Sequence, residues 1–262
     1  MGVKENWWRF NYHAIRLGFI PVTKRALLLS SRVEGEIPNI RPIMLAPVHR
    51  TSADVFALSH VTREFISFVS TDSFGHNGVI NFIQKKVTAA MGTVIWQEGG
   101  IGNPRKRAVA LAKDVEDRLD RRLITAVFTQ GEYQYSSVKS VEDGLLGLLK
   151  RYEVRHLKQK GHELRIPIVP VGIEYDRRGK GLEQSAVGKW ISKWIPFTPN
   201  WTIPAVRTKI TVRFGTPHYF EGQSSRALTE VVMREAAALS NIPYEVDGGS
   251  VVGRKIDDVA NA

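Results

Sequence analysis

The chain has 262 residues, 43% of them hydrophobic and 24% charged, which suits one large α/β domain or two small ones and excludes long disorder, collagen-like and coiled-coil designs. Thirty-seven Lys and Arg against 26 Asp and Glu give a net charge of +11; that balance favours anionic partners such as a phospholipid surface, nucleic acid, phosphorylated substrates or an acidic carrier protein. There is no cysteine, so disulfides, thiolate nucleophiles and Cys-ligated zinc are excluded, in keeping with a reducing compartment.

In chain order, the first thirty residues read as helical and amphipathic. Trp7, Trp8, Phe10, Ile15, Leu17, Phe19 and Ile20 alternate with Arg9, Arg16, Lys24 and Arg25, and Pro21 is expected to divide the segment into two short helices. Those cations interrupt any apolar run long enough for a secretory signal, so none is expected. Pro42 to Val48 reads as a short buried strand, followed by a helix through Val55, Leu58 and Val61 with Thr51 and Ser52 as candidate caps. Phe65 to Ser70 reads as a strand, Asn81 to Met91 as a helix and Gly92 to Trp96 as a strand. A glycine loop precedes a helix over Lys106 to Leu119, and Leu123 to Phe128 is again a strand.

The second half repeats the alternation. Gly144 to Tyr152 is a predicted helix, Ile166 to Glu174 and Lys209 to Phe214 are predicted strands, and Ser224 or Ser225 caps a last helix through Leu239. The longest apolar stretch, Ile166 to Ile173, holds two prolines and falls far short of the roughly 20 residues a spanning helix needs. Apolar strands alternating with helices imply a single α/β domain with a mainly parallel central sheet flanked by helices. The expected division is an N-terminal amphipathic helical segment over 1–31, the α/β domain over 32–246 and a polar tail over 247–262.

His49 stands at a strand-to-helix junction, where open α/β sheets place their ligands, and Asp54 follows five positions on. A carboxylate on the Nδ1 hydrogen fixes the tautomer and makes Nε2 the general base. On spacing alone, a structural or solvated histidine is the commoner reading. The other histidines, His13, His60, His76, His156, His162 and His218, show no metal-ligand spacing, and no metal is expected.

Beyond His49 the order of segments is informative. Met91–Gly100 (MGTVIWQEGG) is a strand ending in a glycine loop, Ala126–Ser136 (AVFTQGEYQYS) a strand running into a turn, and Ile166–Tyr175 (IPIVPVGIEY) a proline-interrupted strand. With His49 and Asp54, this series resembles the glycerolipid acyltransferase family that includes 1-acylglycerol-3-phosphate O-acyltransferase. That family carries His-x4-Asp, a strand ending in Asp-Arg, the run Phe-Pro-Glu-Gly-Thr-Arg, and a Val-Pro-Val type strand. The resemblance spans Ile43 to Pro217. Its first and fourth blocks match in His49 with Asp54 and in Val169-Pro170-Val171. The other two depart from it. Asp-Arg is replaced by Gln97-Glu98, and the third run reads Phe128-Thr129-Gln130-Gly131-Glu132-Tyr133, so both block arginines are missing.

The resemblance implies an O-acyltransferase moving a fatty acyl group from an acyl thioester to a hydroxyl of a glycerolipid-like acceptor, lysophosphatidic acid by default. His49 is then the base, Asp54 its orienting partner, and backbone N–H groups at the Gln130-Gly131 turn the oxyanion donors. Arg50, Thr51, Ser52, Glu132, Pro170 and Val171 are expected near the acceptor or donor. Arg105, Lys106 and Arg107 either replace the missing phosphate-binding arginines, or the acceptor is a different hydroxyl-bearing lipid. No cofactor is implied beyond the co-substrate, acyl-CoA or acyl carrier protein. The basic charge, with Trp7 and Trp8 on the first helix and Trp190, Trp194 and Trp201 among lysines and prolines, suits an anionic membrane surface. A peripheral position on the cytoplasmic face of a membrane is therefore expected, and no nucleic-acid signature is present. The competing readings are an acyl-thioester hydrolase and a non-catalytic basic membrane-binding scaffold of the same fold.

Overall fold

A computed structural model describes residues 3–19, 21, 30–50, 54–62, 64–71, 86, 89–96, 104–130, 134, 136–177 and 208–246. Its helices are α1 (Val3–Ala14, continued by a π-helical turn, Ile15–Phe19), α2 (Asp54–Val61), α3 (Pro104–Asp120), α4 (Gly144–Lys160) and α5 (Ser225–Leu239). Its strands are β1 (Ser30–Glu34), β2 (Ile43–Pro47), β3 (Ile66–Thr71), β4 (Val94–Trp96), β5 (Ile124–Val127), β6 (Ile168–Arg177) and β7 (Thr208–Phe214).

β2 and β5 are apolar or buried at every position, a pattern that requires cover on both faces and hence a central place in the sheet. The seven described strands form one sheet in the order β1-β7-β6-β2-β5-β3-β4. All neighbouring pairs are parallel except β6 with β7. The period-2 alternation of the strands sorts the core into two layers. Ile43, Leu45, Phe68, Ala126 and Val171 face Trp8 and Tyr12 of α1 and Ala57 and Leu58 of α2. Met44, Ala46, Val69, Val127 and Ile168 face α3, α4 and α5 through Leu111, Val115, Leu146, Leu149, Leu228 and Val232. The result is the expected α/β architecture, a mainly parallel sheet between helices.

Several boundaries differ from the sequence reading, each for a physical reason. α1 leaves regular geometry at Ile15, before Pro21, and its π turn includes Gly18, a poor helix former. α4 continues two turns past Tyr152; its later residues, with Val154 and Leu157 exposed, leave the core and lose the apolar period on which the sequence reading relied. It ends at Gly161, whose φ of 73° is the left-handed cap glycine favours and whose N–H bonds to the Leu157 carbonyl. β1 was not anticipated: SSRVE is polar, mostly exposed, and held by its parallel pairing to β7. The expected boundary after Ser31 therefore falls inside a strand. Of the helix expected over Asn81 to Met91, only Lys86, Ala89 and Ala90 are described as helical, and the tail over 247–262 lies outside the described residues.

The middle of β6 is pinned by the end of α5. Ser240 Oγ accepts the Ile173 N–H at 3.0 Å, and a Cβ on Gly172 would sit 2.4 Å from the Leu239 carbonyl carbon. Backbone cannot yield as a side-chain tip does, so Gly172→Ala is expected to cost about 1–3 kcal/mol. A lowered urea midpoint at unchanged m-value checks this.

Burial pushes the Glu153 carboxyl up to about 7 from its usual 4.5, while its Oε1 accepts the Ile166 N–H at 2.7 Å. Between those values the folded chain holds a proton that the unfolded chain has released, so stability from this group falls as pH rises through the window. Glu153→Gln keeps the acceptor and removes the charge. The variant should match wild type in Tm near pH 4.5 and exceed it above about pH 7.

Candidate active site

The period-2 rule that sorts the core also assembles the site. Ile43, Leu45, Pro47 and His49 share one parity along β2 and its extension; Ile124, Ala126 and Phe128 share it along β5; Val169, Val171, Ile173 and Tyr175 share it along β6. All three series face the layer that holds α2, and α2 begins at Asp54. The Val48 N–H bonds to the Val171 carbonyl at 3.1 Å, extending the β2–β6 ladder to the residue before His49. His49 thus emerges at the carboxyl ends of the parallel strands.

Asp54 is fully buried, and its carboxylate is the hub. Oδ2 accepts from His49 Nδ1 at 3.0 Å and from the Arg50 N–H at 2.6 Å, and Oδ1 accepts from the Tyr175 hydroxyl at 2.5 Å. A carboxylate can only accept, so Nδ1 carries the hydrogen and the basic lone pair of the ring is on Nε2. Its place in the first turn of α2 also sets the negative charge at the positive end of the helix dipole.

The His49 ring is stacked on Phe128 with centroids 3.9 Å apart and planes inclined by 27°. Its side chain keeps 17% exposure. One side-chain carboxamide and one main-chain N–H hold the backbone around it. Gln130 Oε1 accepts the His49 N–H, and the His49 carbonyl accepts the Gln134 N–H at 2.8 Å. Gln134 is itself fixed, its Oε1 accepting from the Lys139 and Ser140 N–H groups at 2.6 and 3.2 Å. The stretch after β5 is in this way clamped to the stretch after β2.

The structure brings His49, Asp54 and Gln130 together as the sequence implied, and revises other assignments. Arg50, expected to reach a ligand, is buried; its Nη1 donates to the Ile173 carbonyl at 3.1 Å and its guanidinium lies 5.6 Å from the centre of the Tyr175 ring. Pro170 and Val171 are also buried inside β6, where the Pro170 carbonyl accepts from Gly215 and Val171 supports the His49 segment. Trp8, expected at a membrane contact, lies in the core at 5% exposure under the Arg118 guanidinium, 3.8 Å from its ring. Trp7 is exposed, stacked on Phe10.

At the start of α3, Lys106 is exposed and Arg107 half-buried; nothing is described of the Arg105 side chain. Thr51, Ser52, Gly131, Glu132, Trp190, Trp194 and Trp201 lie outside the described residues, as do Gln97 and Glu98. A cavity of about 260 Å³ lined by His218, Tyr219, Glu221 and Leu228 opens elsewhere. His218 pairs with Ile168, the first residue of β6, so this cavity sits by the opposite sheet edge from His49. Among the described residues, no group of three or more His, Asp or Glu side chains could hold a metal.

Sequence reasoning missed Tyr175 and Gln134 as members of the site and Phe128 as the platform of the ring. Tyr175 carried a signal in its parity with Val169, Val171 and Ile173, which places its hydroxyl on the Asp54 side of the sheet.

No family model and no curated protein sequence matches the chain. Among solved structures it is similar to the crystal structure of the 1-acyl-sn-glycerophosphate (LPA) acyltransferase, PlsC, from Thermotoga maritima, with a TM-score of 0.56 and 16% identity. The match covers 91% of this chain and 83% of that one. The chain shares the fold of that acyltransferase. At this identity the likeness speaks for the path of the backbone, and the chemistry has to be argued from the side chains at the carboxyl edge.

Tyr175→Phe removes one donor from a buried carboxylate and leaves the volume unchanged. Hydrogen bonds to charged groups are worth about 1.5–3 kcal/mol, and the variant should lose that much unfolding free energy in urea titration. An unchanged midpoint would mean that the bond contributes nothing to holding Asp54.

Proposed function

We propose that the chain is an O-acyltransferase that moves a fatty acyl group from an acyl thioester to the hydroxyl of a glycerolipid-like acceptor. The observation that carries this reading is the His49 Nδ1–Asp54 Oδ2 bond at the carboxyl edge of the sheet, in a fold shared with a lysophosphatidic acid acyltransferase. A buried carboxylate behind a partly exposed, tautomer-fixed imidazole is the arrangement a positioned general base needs.

In this mechanism His49 Nε2 takes the proton of the acceptor hydroxyl as its oxygen bonds to the thioester carbonyl carbon. The carbonyl electron pair moves onto oxygen. When the tetrahedral intermediate collapses, the C–S bond breaks and the departing sulfur takes the proton back from His49, leaving ester and thiol. Asp54 holds the ring and stabilises the imidazolium, and Tyr175 and the Arg50 N–H hold Asp54. Acyl-CoA and acyl carrier protein both suit a surface with net charge +11, being anionic themselves.

Lysophosphatidic acid is the default acceptor, its phosphate held by the cations at the start of α3. Cations there oppose the helix dipole, and an anionic ligand would relieve that conflict. The lipid acceptor is reached from an anionic membrane surface on the cytoplasmic side. Support for the membrane comes from Trp7, Phe10 and Leu17, exposed at 58%, 64% and 69% on one N-terminal segment. Among the described residues no helix is long and apolar enough to cross a membrane; the proposed contact is a peripheral one.

The test is acyl transfer by pure protein on anionic liposomes, wild type against His49→Ala. Acceptors are lysophosphatidic acid, glycerol 3-phosphate and uncharged lipid alcohols. His49→Ala should lower the rate about 10²- to 10⁴-fold. Product from lysophosphatidic acid places a phosphate site outside the two missing arginines, whereas product from uncharged acceptors alone makes the lipid alcohol the substrate. Thioester cleavage that ignores the acceptor makes the chain a hydrolase. No His49-dependent product, with liposome binding retained, leaves a membrane scaffold.

A further inference from the structure

Gln130 carries a donor that the fold does not use. It follows β5 by three residues, is 1% exposed, and its Oε1 accepts the His49 N–H. That bond fixes the carboxamide end for end, because an N–H can donate to the oxygen and not to the NH2 group. The NH2 group is therefore held next to the His49 segment, and Nε2 is buried without a hydrogen-bond partner. Native folds leave few buried donors unmade, since each costs the desolvation of the group.

Cheaper side chains would serve a purely structural role. Methionine would fill the volume with no donor left over, and glutamate would supply the acceptor to His49 with no N–H, though with a second charge near Asp54. Only an amide adds a neutral donor beside the base while keeping the acceptor. Thr129 Oγ1 is the neighbouring unpartnered polar atom, but no residue of the His49 site bonds to its side chain.

The geometry points to Gln130 Nε2 as the donor that receives the carbonyl oxygen of the acyl thioester as it becomes an oxyanion, an inference that rests on the acyl-transfer reading. As the acceptor oxygen bonds to the carbonyl carbon and its proton passes to His49, the carbonyl electron pair comes to rest on the oxygen facing Gln130 N–H. Collapse returns that pair to the C=O bond and expels the sulfur, which takes the proton from His49. A donor that is already fixed and desolvated contributes most when charge develops on its partner, so the unmade bond of the resting enzyme is completed in the transition state.

Two variants separate this from a structural role. Gln130→Glu keeps the acceptor for the His49 N–H and deletes the donor, and Gln130→Met deletes both. If Nε2 holds the oxyanion, both variants lose about 10²- to 10³-fold in kcat with KM within a few-fold. Near-wild-type kcat in Gln130→Glu would overturn the inference. Should wild type transfer nothing, the acyl-transfer reading fails separately, and a binding experiment decides the role of Gln130. The probe is a coenzyme A thioether bearing a ketone one carbon from sulfur, which keeps the carbonyl and cannot transfer. The side-chain amide resonances of Gln130, identified by their loss in Gln130→Glu, should move downfield when the probe is added. Resonances that stay in place with the probe saturating, or a probe that does not bind, would sink the inference.

Discussion

A carboxylate with no contact to water is tolerated only where the surrounding chain fills its lone pairs, and Asp54 sets that demand on everything near it. Its known donors come from the loop after β2, from the backbone of the next residue and from a hydroxyl near the end of β6. Meeting the demand requires β2 and β6 to be neighbours, α2 to begin where β2 ends, and β6 to run long enough to bring Tyr175 level with the His49 loop. The fold satisfies each condition. The register Pro47 to Val171 puts Tyr175 four residues beyond the end of β2, over the first turn of α2.

The same geometry accounts for what lies on the far face of β6. A glycine at 172 lets the backbone of α5 approach, and Ser240 then closes on the Ile173 N–H. Ile173 in turn presents its carbonyl to Arg50, which is drawn inward beside Tyr175. Packing on the α5 side thus supports hydrogen bonding on the α2 side through a single strand. A disturbance at Gly172 would be felt at Asp54 by way of two or three residues.

What could be read from sequence follows the range of each interaction. His49 and Asp54 lie five positions apart across a strand-to-helix junction, so local pattern suggests the pair. Tyr175 is 121 positions from Asp54, and nothing local ties its hydroxyl to that carboxylate; only strand order and register do. β2, β5 and β6 were legible because burial on both faces leaves continuous apolar runs, whereas β1 takes its partner along one edge and keeps a polar sequence. Trp7 and Trp8 show the limit most simply. Adjacent and chemically identical, they differ by about 100° around the helix, which puts Trp8 under Arg118 and Trp7 in solvent.

The segment after β5 adds a point about charge. Two glutamines, Gln130 and Gln134, bind the His49 backbone from either side, one through its side chain and one through its own N–H. A carboxylate in place of Gln130 could accept the His49 N–H equally well, but it would bring a second negative charge toward a buried Asp54, where low dielectric makes like-charge repulsion expensive. The Gln130 carboxamide and the Gln134 main chain fasten the two loops together without a further charge beside the His49–Asp54 pair. Where the third block of the family it resembles carries glutamate, this chain has Gln130, and its Oε1 still accepts the His49 N–H. The neutral side chain holds the His49 backbone, and the buried negative charge stays with Asp54, whose spacing from His49 first drew attention to the pair.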